Sequence, residues 1–346
     1  MRPANDRLFE LILGLGPTAK YNLTSSGLSE PDLSAMGVDT SFEKFAAEKG
    51  DHARLFAEEI AKLYKIEPDN VVATNGASEA MFLVYSALGE GRRAVVPLPN
   101  YGPMFNVPKA LGMNVASSLM SSSAAGRAIF GLTDPNNPTG RSLDDGTVDS
   151  LLESRAEEDF VFINETYKEF TFPEKPNTLF GRASNVVTCS TMTKFYGLGR
   201  LRVGWILADK GLARKLLYAK WAVSGHNSEY SLWIATQVLR MRERFVRRAG
   251  EILSRNLGLV NKFIEETKVI STELGAPPFC LVHYRSRPGS VRFAKELLEK
   301  TGVLVAPGDY FGAPKAFRLC FTSDEKTLRV GLNELSNYLN GSFKER

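Results

Sequence analysis

The chain has 346 residues, more than one compact core usually holds, which predicts two lobes. Its 43% hydrophobic and 24% charged residues are ordinary for a globular protein, and its formal charge of +4 comes from scattered basic residues, which excludes the clustered footprint of a nucleic-acid binder. No run reaches the roughly 20 apolar residues of a membrane-spanning helix, so no membrane partner is expected.

Residues 1–45 read as irregular. Leu8, Leu11, Ile12 and Leu15 make a short amphipathic piece, and Glu10 inside it leaves no signal-peptide core. Asn22-Leu23-Thr24-Ser25-Ser26-Gly27 then reads as a flexible connection. Phe56, Ile60 and Leu63 share a face and predict a helix over residues 53–64. Val71-Val72-Ala73-Thr74 predicts a strand, Asn75-Gly76-Ala77-Ser78 a turn, and Met81, Val84, Tyr85 and Leu88 the apolar face of the next helix. Small residues at a helix start leave backbone N–H groups free, and the helix dipole favours an anion there.

Buried strands are predicted at 94–96, 128–132, 160–163, 186–189 and 204–208. The first three lead into Pro97-Leu98-Pro99-Asn100-Tyr101-Gly102-Pro103, Thr133-Asp134-Pro135-Asn136-Asn137-Pro138-Thr139-Gly140 and Asn164-Glu165-Thr166-Tyr167. Loops leaving the carboxyl ends of parallel strands form the ligand edge of an open α/β sheet. A helical zone at 231–266, with Leu239, Phe245, Ile252, Leu257, Val260 and Phe263, is expected to pack between the lobes. Apolar runs at 279–282, 303–305 and 317–321 predict a smaller α/β unit. Arg318 lies inside the last run, where a cation is costly unless it meets an anion, and by itself it reads as a salt-bridge residue. Cys189, Cys280 and Cys320 all lie in apolar runs and read as reduced core thiols of a cytoplasmic protein. His52, His226 and His283 have no ligand spacing, so no metal is expected. The expected fold is α/β: a three-layer large domain with a mostly parallel central sheet over 46–235, plus a smaller α/β domain from 236–346 joined by the 1–45 arm.

One stretch carries chemistry of its own: Ser190-Thr191-Met192-Thr193-Lys194-Phe195-Tyr196-Gly197-Leu198-Gly199-Arg200-Leu201-Arg202-Val203-Gly204-Trp205. A lysine that forms a Schiff base must be partly desolvated, so that its amine is neutral often enough to attack a carbonyl. Nearby hydroxyls and an arginine suit a phosphate held while that lysine reacts. These are the parts of a pyridoxal 5′-phosphate anchor. The stretch resembles the Schiff-base segment of class I/II aminotransferases, the fold-type I pyridoxal-phosphate enzymes, with Thr191 where that pattern more often has Ser or Gly. Asn136-Asn137-Pro138-Thr139-Gly140 and Glu165-Thr166-Tyr167 extend the resemblance, which covers nearly the whole chain in the expected order.

The resemblance implies roles. Lys194 would be the Schiff-base lysine and general acid/base. Ala77, Ser78, Thr191, Thr193 and Arg202 would hold the phosphate end, and Tyr101 would lie flat against the pyridine. Tyr167 would bond the ring oxygen, with Asn137 beside that oxygen and the substrate carboxylate. Arg318 would clamp the substrate α-carboxylate, and Gly27 would end an arm near the substrate. Two departures stand out. Asn164 occupies the place of the aspartate that pairs with the pyridine nitrogen, and a neutral amide cannot supply that charge. Glu165 is no substitute, because neighbouring residues leaving a strand point to opposite sides. A phosphate-contacting tyrosine expected before the helix near residue 55 is also missing, with Phe45 the nearest aromatic. The expected function is a pyridoxal-phosphate-dependent amino-acid aminotransferase, aspartate-type and closest in wording to archaeal aspartate aminotransferases. Its expected partners are a small-molecule amino acid, a 2-oxo acid such as 2-oxoglutarate, and a second copy of the chain in a homodimer. Alternatives are a histidinol-phosphate aminotransferase, a lyase or decarboxylase using the same cofactor, and a cofactor-binding protein whose turnover Asn164 impairs.

Overall fold

The structure, a computed structural model, describes residues 6–118, 127–153, 156, 158–267, 270–275, 278–285 and 289–341. The beginning of the chain is more regular than its composition implied. Asp6 accepts from the Leu8 and Phe9 N–H groups and caps α1 (Arg7–Leu15), so the amphipathic piece is a helix. The connection after it contributes β1 (Tyr21–Asn22). Ser41 and Asp51 cap the short α2 (Phe42–Ala47) and the amphipathic α3 (His52–Tyr64).

Strands and helices then alternate: β2 (Val71–Thr74), α4 (Gly76–Leu88), β3 (Arg93–Val95), α5 (Gly102–Ala110), β4 (Val115–Ala116), β5 (Ala128–Thr133), α6 (Asp145–Glu153), β6 (Phe160–Asn164), α7 (Lys168–Thr171), β7 (Val186–Thr191), β8 (Gly204–Leu207) and α8 (Lys210–Val223). Among the described residues the strands form a seven-stranded sheet in the order β2-β8-β7-β6-β5-β3-β4, in which β8 alone runs against the others. Every residue of β5, β7 and β8 is buried, as befits strands covered on both faces. One face packs Val187, Cys189 and Ile206 against Val84 and Leu88 of α4 and Leu216 of α8.

The expected helical zone at 231–266 is two helices, α9 (Glu229–Arg240) and α10 (Arg242–Glu266), parted where Met241 takes φ −104° and ψ 21°. Phe245 and Ala249 of α10 join Phe56, Phe195, Trp205 and Leu232 on the other face of the large sheet. Val260 and Phe263 of the same helix pack on the second sheet, so one helix is shared by two cores. That second region adds β9 (Ile270–Glu273), β10 (Phe279–Tyr284), α11 (Ser290–Thr301), β11 (Val303–Leu304), β12 (Ala306–Pro307), β13 (Ala316–Cys320) and α12 (Glu325–Gly341). Its antiparallel order is β12-β13-β10-β9, while β1 pairs parallel with β11 and ties the start of the chain to this region. Among the described residues no helix is long and apolar enough to cross a membrane.

Candidate active site

The turn between β2 and α4 builds one end of a cavity. Gly76 opens α4 at φ +78°, and a Cβ there would sit 2.7 Å from Arg202 Nη2. Gly204 packs behind it, where a Cβ would lie 2.7 Å from the Ser190 carbonyl and 2.9 Å from Gly76 Cα. Two glycines therefore let the start of α4 rest directly on β8. No side chain of the N-cap residue caps α4, because the Asn75 side chain donates to Glu79 at 3.1 Å and accepts from Asn227 Nδ2 at 3.1 Å. Glu79 in turn pairs with Lys220 at 3.0 Å. The first α4 N–H groups, including those of Ala77 and Ser78, lack a side-chain acceptor and keep their pull on an anion. Arg202, at φ 53°, donates to the Gly199 carbonyl at 3.1 Å and the Asn75 carbonyl at 3.2 Å, which sets its guanidinium over this helix end. Thr191 Oγ1 donates to the Val203 carbonyl at 2.9 Å and lies 2.9 Å from Thr193 Oγ1, placing both hydroxyls at the end of β7.

Lys194 follows them. It keeps a partial opening to the cavity while the surrounding protein desolvates its amine. Burial, with Arg318 and Arg202 adding repulsion, lowers its pKa from 10.5 to about 8. Across the cavity, buried Arg318 donates from Nη1 to Asn137 Oδ1 at 2.9 Å and from Nη2 to the Thr24 carbonyl at 2.9 Å. The Phe279 and Phe311 rings flank it, and its Nε has no partner among the described residues. A guanidinium held at two corners with a free buried N–H is prepared for an incoming anion.

Tyr167 donates to Ser26 Oγ at 2.8 Å, and burial pushes its phenol up to about 12. Tyr101 stands at the start of α5, where burial raises its phenol well above the ordinary value. Asn164 ends β6, and its Oδ1 accepts from the Thr166 N–H at 3.1 Å. Glu165 does point the other way, accepting from Thr178 Oγ1 and the Leu179 N–H at 2.6 Å each.

Ala77, Ser78, Tyr101, Asn137, Asn164, Tyr167, Thr191, Thr193, Lys194, Arg202 and Arg318 all line one cavity of about 330 Å³. That is within the roughly 300–1,000 Å³ of small-molecule sites. Gly27 does not line it. A Cβ on Gly27 would meet the Thr193 carbonyl at 3.0 Å and Lys194 Cα at 3.2 Å, so this glycine backs the lysine, and Ser26 takes the wall position. Met81, Thr133, Thr166, Ser26 and the α1 residues Leu8, Phe9 and Ile12 also line the cavity and were not expected there. Met81 was readable only as core, whereas Thr166, between Glu165 and Tyr167, carried a signal by position. Phe45 lies instead in a ring cluster with Phe42, His52, Tyr230 and Trp233.

These groups fit pyridoxal 5′-phosphate. An uncapped helix start, two hydroxyls and an arginine suit the phosphate, and a desolvated amine suits the aldehyde. Among the described residues the Thr166 hydroxyl, like Arg318 Nε, is buried without a partner. A second cleft, about 940 Å³ and lined by α3 and α8, gathers no comparable set; Lys220 there is paired with Glu79, and Arg54 with Asp69.

Residues 49–335 match the family model described as aminotransferase class I and II. The chain belongs to this family. It is therefore an enzyme dependent on pyridoxal 5′-phosphate, an aminotransferase of fold type I. A histidinol-phosphate aminotransferase of Carboxydothermus hydrogenoformans is 29% identical over 302 residues, covering 82% of this chain and 80% of that protein. A probable aspartate/prephenate aminotransferase of Aquifex aeolicus is 24% identical over 319 residues, covering 82% and 79%. The crystal structure of a PLP-dependent aminotransferase from Streptococcus suis superposes over 100% of both chains, with a TM-score of 0.88 at 22% identity.

Proposed function

We propose that this aminotransferase moves an amino group from a donor with an anionic end to a 2-oxo acid, and that the cavity around Lys194 is where it does so. The observation that carries this is one cavity shared by Lys194, Arg318 and the uncapped start of α4. The cofactor, when bound, supplies an aldehyde to capture the donor's nitrogen and an electron sink for the bond broken at Cα. Ser78, Thr191, Thr193 and Arg202 would hold its phosphate, and Lys194 would hold its carbon end. Arg318 and Asn137 orient the donor's anion, which fixes the Cα–H toward Lys194. The lysine then moves the proton between Cα and C4′, a task served by a pKa near the working pH.

Among the described residues the cations on the cavity wall are Lys194, Arg202 and Arg318, which leaves Arg318 for a donor's anion. An aspartate-type donor, or 2-oxoglutarate as acceptor, needs a second cation from beyond this chain's wall. A donor with a single anionic end, such as histidinol phosphate, is served by Arg318 by itself, and the similarity to histidinol-phosphate aminotransferases supports that reading. A panel of amino donors, each with 2-oxoglutarate and with a monocarboxylic 2-oxo acid, tests this. Activity confined to dicarboxylic donors would reject the single-anion reading, and oxo-acid release without any acceptor would indicate elimination. A homodimer supplying that second cation fits the exposed Phe42, Tyr218, Trp221 and Val223 side chains. A monomer at micromolar concentration in sedimentation velocity would reject the dimer.

A further inference from the structure

The wall of the cavity is electrically one-sided. Its ionisable side chains are the cations Lys194, Arg202 and Arg318 and the phenols Tyr101 and Tyr167, with no carboxylate among the residues that line it. The carboxylates near the wall are engaged elsewhere: Asp6, beside Tyr101, caps α1 by accepting from the Leu8 and Phe9 N–H groups. Glu165 is held by Thr178 and the Leu179 N–H, and Asp134 by an ion pair with Lys168 and the Leu143 N–H.

Asn164 is buried in this wall, and its amide has a defined orientation. Oδ1 accepts from the Thr166 backbone N–H, a group that can only donate, so the oxygen faces the chain and Nδ2 is the free end. Among the described residues the hydrogen-bond partner of Nδ2 is Met81 Sδ at 3.8 Å, a weak acceptor. Asn164 thus brings a donor to the cavity. Cys189, its register partner on β7, is a buried thiol whose pKa burial raises, so it adds no charge.

We propose that this chain binds pyridoxal 5′-phosphate with the ring nitrogen unprotonated, as acceptor of the Asn164 Nδ2–H, in a pocket that holds no anion for a pyridinium. A protonated ring nitrogen would face an N–H donor with no carboxylate on the lining wall to pair with it, which is unfavourable. A neutral pyridine accepts the amide hydrogen and removes the repulsion. The consequence is a weaker electron sink, so removal of the Cα proton depends more on Lys194 and on how the donor is oriented. This inference rests on the cofactor placement proposed above.

The test is a nitrogen-15 NMR spectrum of the full-length holoenzyme loaded with ring-15N pyridoxal 5′-phosphate, with the acidic and basic free cofactor as references. The expected signal is that of an unprotonated pyridine throughout the pH range in which the protein stays folded, and Asn164→Asp should move it to the pyridinium position. Asn164→Ala removes the donor and should move the signal toward that of the cofactor in an aprotic solvent. A pyridinium signal in the unaltered protein overturns the inference while leaving the cofactor site intact. An unmoved signal in both variants overturns the contact with Asn164. A protein that retains no labelled cofactor overturns this inference together with the proposed site.

Discussion

The lowered pKa of Lys194 makes a quantitative prediction about cofactor capture. An amine at 10.5 is about 0.03% neutral at pH 7, whereas one at about 8 is about 9% neutral, a gain of roughly 300-fold in the attacking form. Burial is the largest cause and Arg318 the next. The neutral amine is the nucleophile, so capture by the apoenzyme should accelerate as pH rises and level off above about 8. Replacing Arg318 with Gln removes a repelling cation without touching the phosphate site, so the midpoint should move upward and capture at pH 7 should slow. Stopped-flow absorbance of apoenzyme mixed with pyridoxal 5′-phosphate across a pH series reads both, and dividing the two profiles cancels the cofactor's own ionisation. A midpoint near 10 in the unaltered protein, or one that Arg318→Gln leaves in place, would refute the reasoning.

Arg318→Gln should also lower kcat/KM for anionic donors by about 10²–10³-fold, which is about 3–4 kcal/mol and within the range seen when one side of a buried charge pair is lost. An uncharged amine donor should be far less affected, and equal losses for both would contradict the anion role. Gly204→Ala forces a methyl between Ser190 and Gly76, so it should lower stability by about 1–3 kcal/mol and weaken cofactor retention. Thermal melts of apo and holo protein check this, and an unchanged holo Tm would contradict it. Glu169 is buried and accepts from Tyr196 at 2.7 Å and from Arg242 at 2.9 Å, so Glu169→Ala strands a cation. A loss of about 3–5 kcal/mol in denaturant unfolding is expected, and a loss below 1 kcal/mol would show that Arg242 finds water instead.

The cavity was legible because its parts are local. Ser78, Tyr101, Asn137, Tyr167 and Lys194 each sit at or just after a strand end, and each belongs to a short run whose residue types restrict one another. The sheet then brings those runs to one edge with no further information needed. What escaped were contacts between distant elements. Nothing near Leu8, Phe9 or Ile12 signals that α1 covers the cavity, and Ser26 looked like linker until Tyr167 met it. Pro103 and Pro108 obscure helix α5: Pro103 sits in its first turn, where proline is tolerated, and Pro108 lies inside the helix, while Met104 is buried beside α4. By contrast, Leu328, Leu332, Leu335 and Leu339 repeat with helical spacing, so the sequence alone carries α12. Gly27 packs behind Lys194 while Ser26 lines the cavity, in a stretch with no periodicity to fix which side chain faces inward.

The central claim is that one amine, Lys194, holds the cofactor. Borohydride reduction of the holoenzyme followed by peptide mapping tests it most directly. A reduced pyridoxyl label is expected on Lys194, and none in Lys194→Ala protein. A label on another lysine, or an undiminished label in that variant, would contradict it.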